Sequence, residues 1–119
     1  MKRNKKYIEL KQHTEIYENI LTAMESSTGV HRDFFRFKRT RTQAEVRLRY
    51  MLVYFIHKYI PSWSLDQVSQ KLKMGDHSSV IHALKRVDDW QTISIAHKEE
   101  IEILNKIQEA YGQRNEITV

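Results

Sequence analysis

Only three Gly and one Pro punctuate these 119 residues, and β-branched residues nowhere alternate with polar ones over a useful length. A chain so poor in turn formers and in period-two patterning has helices joined by short turns as its natural solution. One hydrophobic core is within reach of this length, and two are not, so the expectation is one all-α domain over 7–112. A basic tail at 1–6 precedes it and a short tail at 113–119 follows it. No repeat or low-complexity segment interrupts it.

The helices can be placed from their apolar spacing and their stops. Ile16, Ile20, Ala23 and Met24 recur at helical intervals within Glu9 to Glu25, and Ser26-Ser27-Thr28-Gly29 ends that segment. A short second helix is expected from His31 to Phe37, where Phe34, Phe35 and Phe37 call for burial beside a run of bases. Met51-Leu52-Val53-Tyr54-Phe55-Ile56 is apolar nearly all round, which makes Ala44 to Ile60 a central helix covered by several neighbours. Pro61 ends it, because the ring removes a hydrogen bond and clashes with the preceding turn. Ser64 followed by Gln67 forms a capping-box pattern for a helix from Leu65 to Leu72, with Leu65, Val68 and Leu72 inward.

Lys73-Met74-Gly75 then makes a tight turn, and Asp76 suits the N-cap of a further helix reaching about Trp90. On that helix Val80, Ala83, Leu84, Val87 and Trp90 form one apolar stripe. The other face carries His77, Ser78, Ile81, His82, Lys85 and Arg86. Two short helices around a Gly-containing turn, the second with a polar and basic outer face, make a helix-turn-helix pattern over about 64–90. A last helix from about Ala96 to Tyr111, with Ile101, Leu104, Ile107 and Tyr111 inward, closes a bundle of five to six helices.

Charge is distributed in blocks. Residues 31–58 carry +6 and 88–119 carry −4, within a net +5 for the chain. A one-sided basic surface favours a polyanion, most commonly nucleic acid, and the acidic last helix places docking on the side away from it. Asp76, His77 and Ser78 are short polar groups at a helix start, where they can reach base edges in a major groove; the alternative is an ordinary N-cap box facing solvent. The basic loop Lys38-Arg39-Thr40-Arg41-Thr42, with Arg47 and Arg49 beyond it, offers planar guanidinium forks for phosphates, or for a narrow minor groove. Lys85 and Arg86 add phosphate-binding cations along the second helix. A solubilising loop is the bland alternative, and three aromatic residues immediately before it argue against that.

Other chemistries find little support. With no Cys, disulfides, thiolate zinc sites and cysteine nucleophiles are excluded. The six His form no His-Glu-x-x-His pair, and His77 and His82 are five apart, off a common helix face. No catalysis, metal or cofactor is expected. There is no run of about 18 apolar residues, no export signal and no Gly-x-x-x-x-Gly-Lys-Ser/Thr nucleotide loop. The expectation is a cytoplasmic, nucleoid-associated protein with double-stranded DNA as partner and neither membrane nor nucleotide.

The stretch Lys73-Met74-Gly75-Asp76-His77-Ser78-Ser79-Val80-Ile81-His82-Ala83-Leu84-Lys85-Arg86-Val87 resembles the signature of the C-terminal DNA-binding domain of the bacterial replication initiator DnaA. That signature is Gly-Gly-Arg-Asp-His-Thr-Thr-Val, one apolar residue, His-Ala, two variable positions and Ile or Val. Ser64-Leu65 matches the family's Ser-Leu before the first helix-turn-helix helix. With one residue inserted near Pro61, Arg49 falls on the Arg of its Pro-Arg-Gln motif and Arg41 on its minor-groove Arg. The resemblance covers about Val30 to Trp90.

It implies that Asp76, His77 and Ser78 read bases, that Ser79 and Arg49 hold phosphates, and that Arg41 reaches the adjacent minor groove. It also implies a role in replication origin binding or in regulating initiation, with other replication proteins as further partners, in a reader that lacks the ATPase. Gly75 stands for the signature Arg, Tyr50 for the Gln, and His57 for the usual Lys or Arg, while Ser78 and Ser79 lack the Thr methyl groups. The preferred sequence is therefore expected to differ from the standard DnaA box. Competing readings are a helical protein-interaction adaptor, a DNA-targeting module of a mobile element, and a transcriptional regulator.

Overall fold

Thr42 opens the central helix by accepting a hydrogen bond from the Glu45 amide at 3.2 Å, and the helix stops at Ile60, one residue before Pro61. In the computed structural model this helix is one of five among the described residues: α1 (Lys2–Thr28), α2 (Gln43–Tyr59), α3 (Leu65–Leu72), α4 (His77–Thr92) and α5 (Lys98–Thr118). Short 3-10 turns at Arg32–Phe34 and Ser94–His97 precede α2 and α5. The structure describes the backbone of residues 2–37 and 42–118 and the side chains of residues 12–37 and 42–113. No strand occurs among the described residues, and the chain is all-α.

The core forms around α2. Leu48, Met51, Leu52, Val53, Phe55 and Ile56 are buried, which matches a helix apolar on most sides. It packs against both α1 and α4, while α5 lies along α1. Leu104, Ile107 and Tyr111 bury the inner face of α5, and the Tyr111 ring stacks on Tyr59 of α2 at 4.1 Å between centroids.

Differences from the sequence reading cluster at helix ends and around Phe35. α1 begins at Lys2, well before Glu9, because nothing from Lys2 to Ile8 breaks a helix; α5 likewise starts at Lys98 and continues to Thr118. Both helices thus run through the stretches expected as tails.

The segment expected as a helix from His31 to Phe37 is only the turn Arg32–Phe34, too short to fold three rings inward. Phe35 alone is buried, whereas Phe34 is 46% and Phe37 39% exposed. Arg32 fastens this turn to α1. Its guanidinium donates to Glu18 and, at 2.8 Å, to Glu25, whose other carboxylate oxygen accepts from the Arg32 amide at 2.9 Å. Hydrogen bonding to the Arg32 side chain, above all, holds the Glu25 carboxyl down at about 2.

The α3–turn–α4 unit follows its sequence signals closely. The Ser64 hydroxyl accepts from the Gln67 amide at 3.1 Å, and the Gln67 side chain accepts from the Ser64 amide at 2.7 Å, which completes the capping box. Lys73 caps the end of α3 at φ 53°, ψ 49°, in the left-handed region, and Gly75 follows at φ 95°. A side chain at Lys73 costs about 1 kcal/mol relative to glycine in that conformation. Asp76 then caps α4 by accepting from the Ser79 amide at 3.3 Å. Val80, Ala83, Val87 and Trp90 are buried beneath it.

Candidate nucleic-acid interface

With its apolar stripe against α2 and α3, α4 turns His77, Ser78, Ile81, His82, Lys85 and Arg86 outward, and all six are exposed. The same register that makes Val80 and Ala83 core residues dictates this, since residues one or two positions away on a helix point to another side. Ser79 is half-buried at the foot of the helix.

The side chains at the start of α4 are held by neighbours. One Asp76 oxygen is engaged as the cap, so this carboxylate serves the helix start whatever else it contacts. His77 Nδ1 lies 3.2 Å from Asp66 Oδ1 on α3. That contact ties the two helices together across the turn. With the ring proton on Nδ1, Nε2 is a hydrogen-bond acceptor.

Beside this helix start, α2 contributes Val46, Arg49 and Tyr50, the turn contributes Lys73 and Met74, and α4 contributes Ser78, Ser79 and His82 to one open groove of about 470 Å³. Arg49 is anchored at its wall: its Nε donates to the Phe35 carbonyl at 3.2 Å, and burial pulls its pKa below the ordinary guanidinium value. A guanidinium oriented in this way remains charged and is arranged for a planar contact with an anion. The groove therefore brings Arg49 together with Ser78 and Ser79, which are well separated from it in sequence. Lys73 and Tyr50 join them without having been singled out as DNA contacts. Lys73 could have been suspected, because it occupies a position where the signature has glycine.

A second open groove, of about 490 Å³, runs on from the first and is lined among others by Arg47, Tyr50, His82, Arg86, Trp90 and Glu100. Arg47 faces the start of α5, with Nη1 3.5 Å from a Glu100 oxygen and 3.9 Å from one of Glu99. The acidic helix thus lies on α1 for most of its length but reaches the edge of the basic face with its first turn. Lys85 stands on the outer side of α4 and lines neither groove. Lys38, Arg39 and Arg41 lie outside the described residues.

Among the described residues no group of His, Asp or Glu could hold a metal ion, and no helix is long and apolar enough to cross a membrane. No curated protein and no solved structure matches the chain. A family model, described as the bacterial dnaA protein helix-turn-helix, matches residues 17–87 of the 119 and so spans α2, α3 and most of α4. The chain belongs to the bacterial DnaA helix-turn-helix family, a family of DNA-binding rather than catalytic domains.

Proposed function

We propose that this protein binds double-stranded DNA in a sequence-dependent way at a site of DnaA-box type, and that it acts at the nucleoid in replication origin binding or in the regulation of initiation. The start of α4 enters the major groove with Asp76, His77 and Ser78 toward base edges. Ser79, Arg49, Arg47, Lys85 and Arg86 lie against phosphates, and the loop bearing Lys38, Arg39 and Arg41 follows the backbone to the neighbouring minor groove. The observation that carries this reading is the groove in which Arg49, fixed by the Phe35 carbonyl, meets Ser78 and Ser79 beside the exposed face of α4. Phosphate contacts fix register and base contacts give specificity, so the two sets of residues should separate in experiment.

The test compares a preferred duplex with a random one. His77→Ala and Ser78→Ala are each expected to lose about 1 to 3 kcal/mol on the preferred duplex and much less on the random one. Arg49→Ala is expected to weaken both about equally. Taking the ratio of the two affinities cancels any loss of folded protein caused by removing the His77–Asp66 contact. If His77→Ala and Ser78→Ala leave that ratio unchanged, the start of α4 does not read bases.

A further inference from the structure

Lys73 is the only non-glycine residue with positive φ among those described, and glycine would hold the same turn at lower cost. Its side chain is exposed and lines the same groove as Arg49, Ser78 and Ser79. Its ammonium lies 5.3 Å from the centre of the Phe37 ring, and the Arg36 guanidinium lies 4.1 Å from the same ring. An exposed aromatic ring attracts a nearby cation through its quadrupole without neutralising it. Arg36 is paired with Asp33 at 3.4 Å and does not line the groove, so of the two charges the Lys73 ammonium is the one offered to an anion that enters it.

We propose that Lys73 is a DNA-backbone contact supplied by the turn of the helix-turn-helix itself: its ammonium, steadied on Phe37, binds a phosphodiester oxygen in the groove that Arg49 also lines. This rests on the DNA-binding reading above. It assigns a charge to a position that the signature fills with glycine, and so adds a second phosphate-binding cation, beside Arg49, to the groove at the start of α4. The cost of the left-handed lysine is then the cost of that contact.

The test is binding of the full chain to one labelled duplex by fluorescence anisotropy between about 50 and 200 mM salt, alongside thermal melting. Lys73→Gly is expected to melt at or above the wild-type temperature, because it relieves the turn, and yet to bind about three- to ten-fold more weakly at 100 mM salt. The log–log salt slope should become shallower by about 0.9, the loss of one phosphate contact. Lys73→Gln keeps the backbone cost and most of the stem without the charge, and must show the same shallower slope. Lys73→Arg must restore it. A wild-type slope retained in both Lys73→Gly and Lys73→Gln overturns this assignment while leaving DNA binding intact. Wild-type protein without salt-dependent duplex binding overturns the DNA reading itself, and this assignment with it.

Discussion

Raising salt from about 50 to about 200 mM is expected to weaken duplex binding by about two and a half to three and a half orders of magnitude. The cations offered to the backbone are Lys38, Arg39, Arg41, Arg47, Arg49, Lys85 and Arg86, with Lys73 proposed beside them. About five to seven phosphate contacts correspond to a log–log slope of about −4 to −6, because each neutralised phosphate releases close to one condensed counterion. The contributions are not equal. Arg47 is already paired with Glu100 and Glu99 and must exchange a carboxylate for a phosphate, so its net share is smaller than that of Lys85 or Arg86, which stand exposed on α4. Arg49 is held in place before any DNA arrives, which lowers the ordering cost of its contact. Anisotropy titrations at four or five salt concentrations measure the slope, and a value near zero would contradict the basic face as a DNA-binding surface.

Trp90→Ala is expected to destabilise the fold by about 3 to 5 kcal/mol. The indole is buried near the C-terminal end of α4, with its ring centre 6.4 Å from that of Tyr50 on α2, and it lines the second groove from below. Truncation removes a large packed surface and leaves a cavity between two helices that have few means of collapsing together. Small domains have about 5 to 15 kcal/mol of stability in all, so the melting temperature should fall by about 10 °C or more, and Trp90→Phe should recover most of it. The consequence for function is geometric. α4 is pinned at one end by the Asp76 cap and at the other by Trp90, and freeing the second end loosens the angle at which Ser78 and His77 face the DNA. A melting temperature within about 2 °C of wild type would show that Trp90 does not hold α4 in place.

The sequence was most readable where a chemical signal marked a boundary. Pro61, the Ser64–Gln67 box and the Asp76 cap each specify a local hydrogen-bonding pattern, and α2, α3 and α4 begin or end within one or two residues of the expected places. Helix ends without such a marker differ from expectation. Nothing before Glu9 stops α1, which runs back to Lys2 although it ends at Thr28, beside Gly29, as expected; α5 runs through Gly112 to Thr118, because a lone glycine costs a helix only about 1 kcal/mol.

The three phenylalanines near residue 35 depart from expectation for another reason. Hydrophobicity says that a ring gains from burial, but not that the backbone can turn three of them inward, and here Phe37 carries Arg36 and Lys73 on its faces instead. In the candidate site, helical periodicity was enough to place His77, Ser78, Lys85 and Arg86 outside. Tertiary partners were not legible. Nothing in the spacing shows that Arg49 meets the Phe35 carbonyl, that His77 meets Asp66, or that Arg47 meets Glu99 and Glu100, since each pair joins separate elements of the fold.

That the start of α4 reads a DNA sequence is tested by selection of bound fragments from a random duplex pool. Wild-type protein is expected to enrich one asymmetric motif related to, but distinct from, the standard DnaA box, because Gly75, Ser78 and Ser79 replace larger groups of the signature. Selection with His77→Ala or Ser78→Ala should return the same motif with one or two positions degenerate and the rest intact, as expected when a base contact is lost and the phosphate contacts remain. A pool that stays random after repeated rounds, despite salt-dependent binding, would contradict the claim and reduce the basic face of this protein to a non-specific polyanion surface.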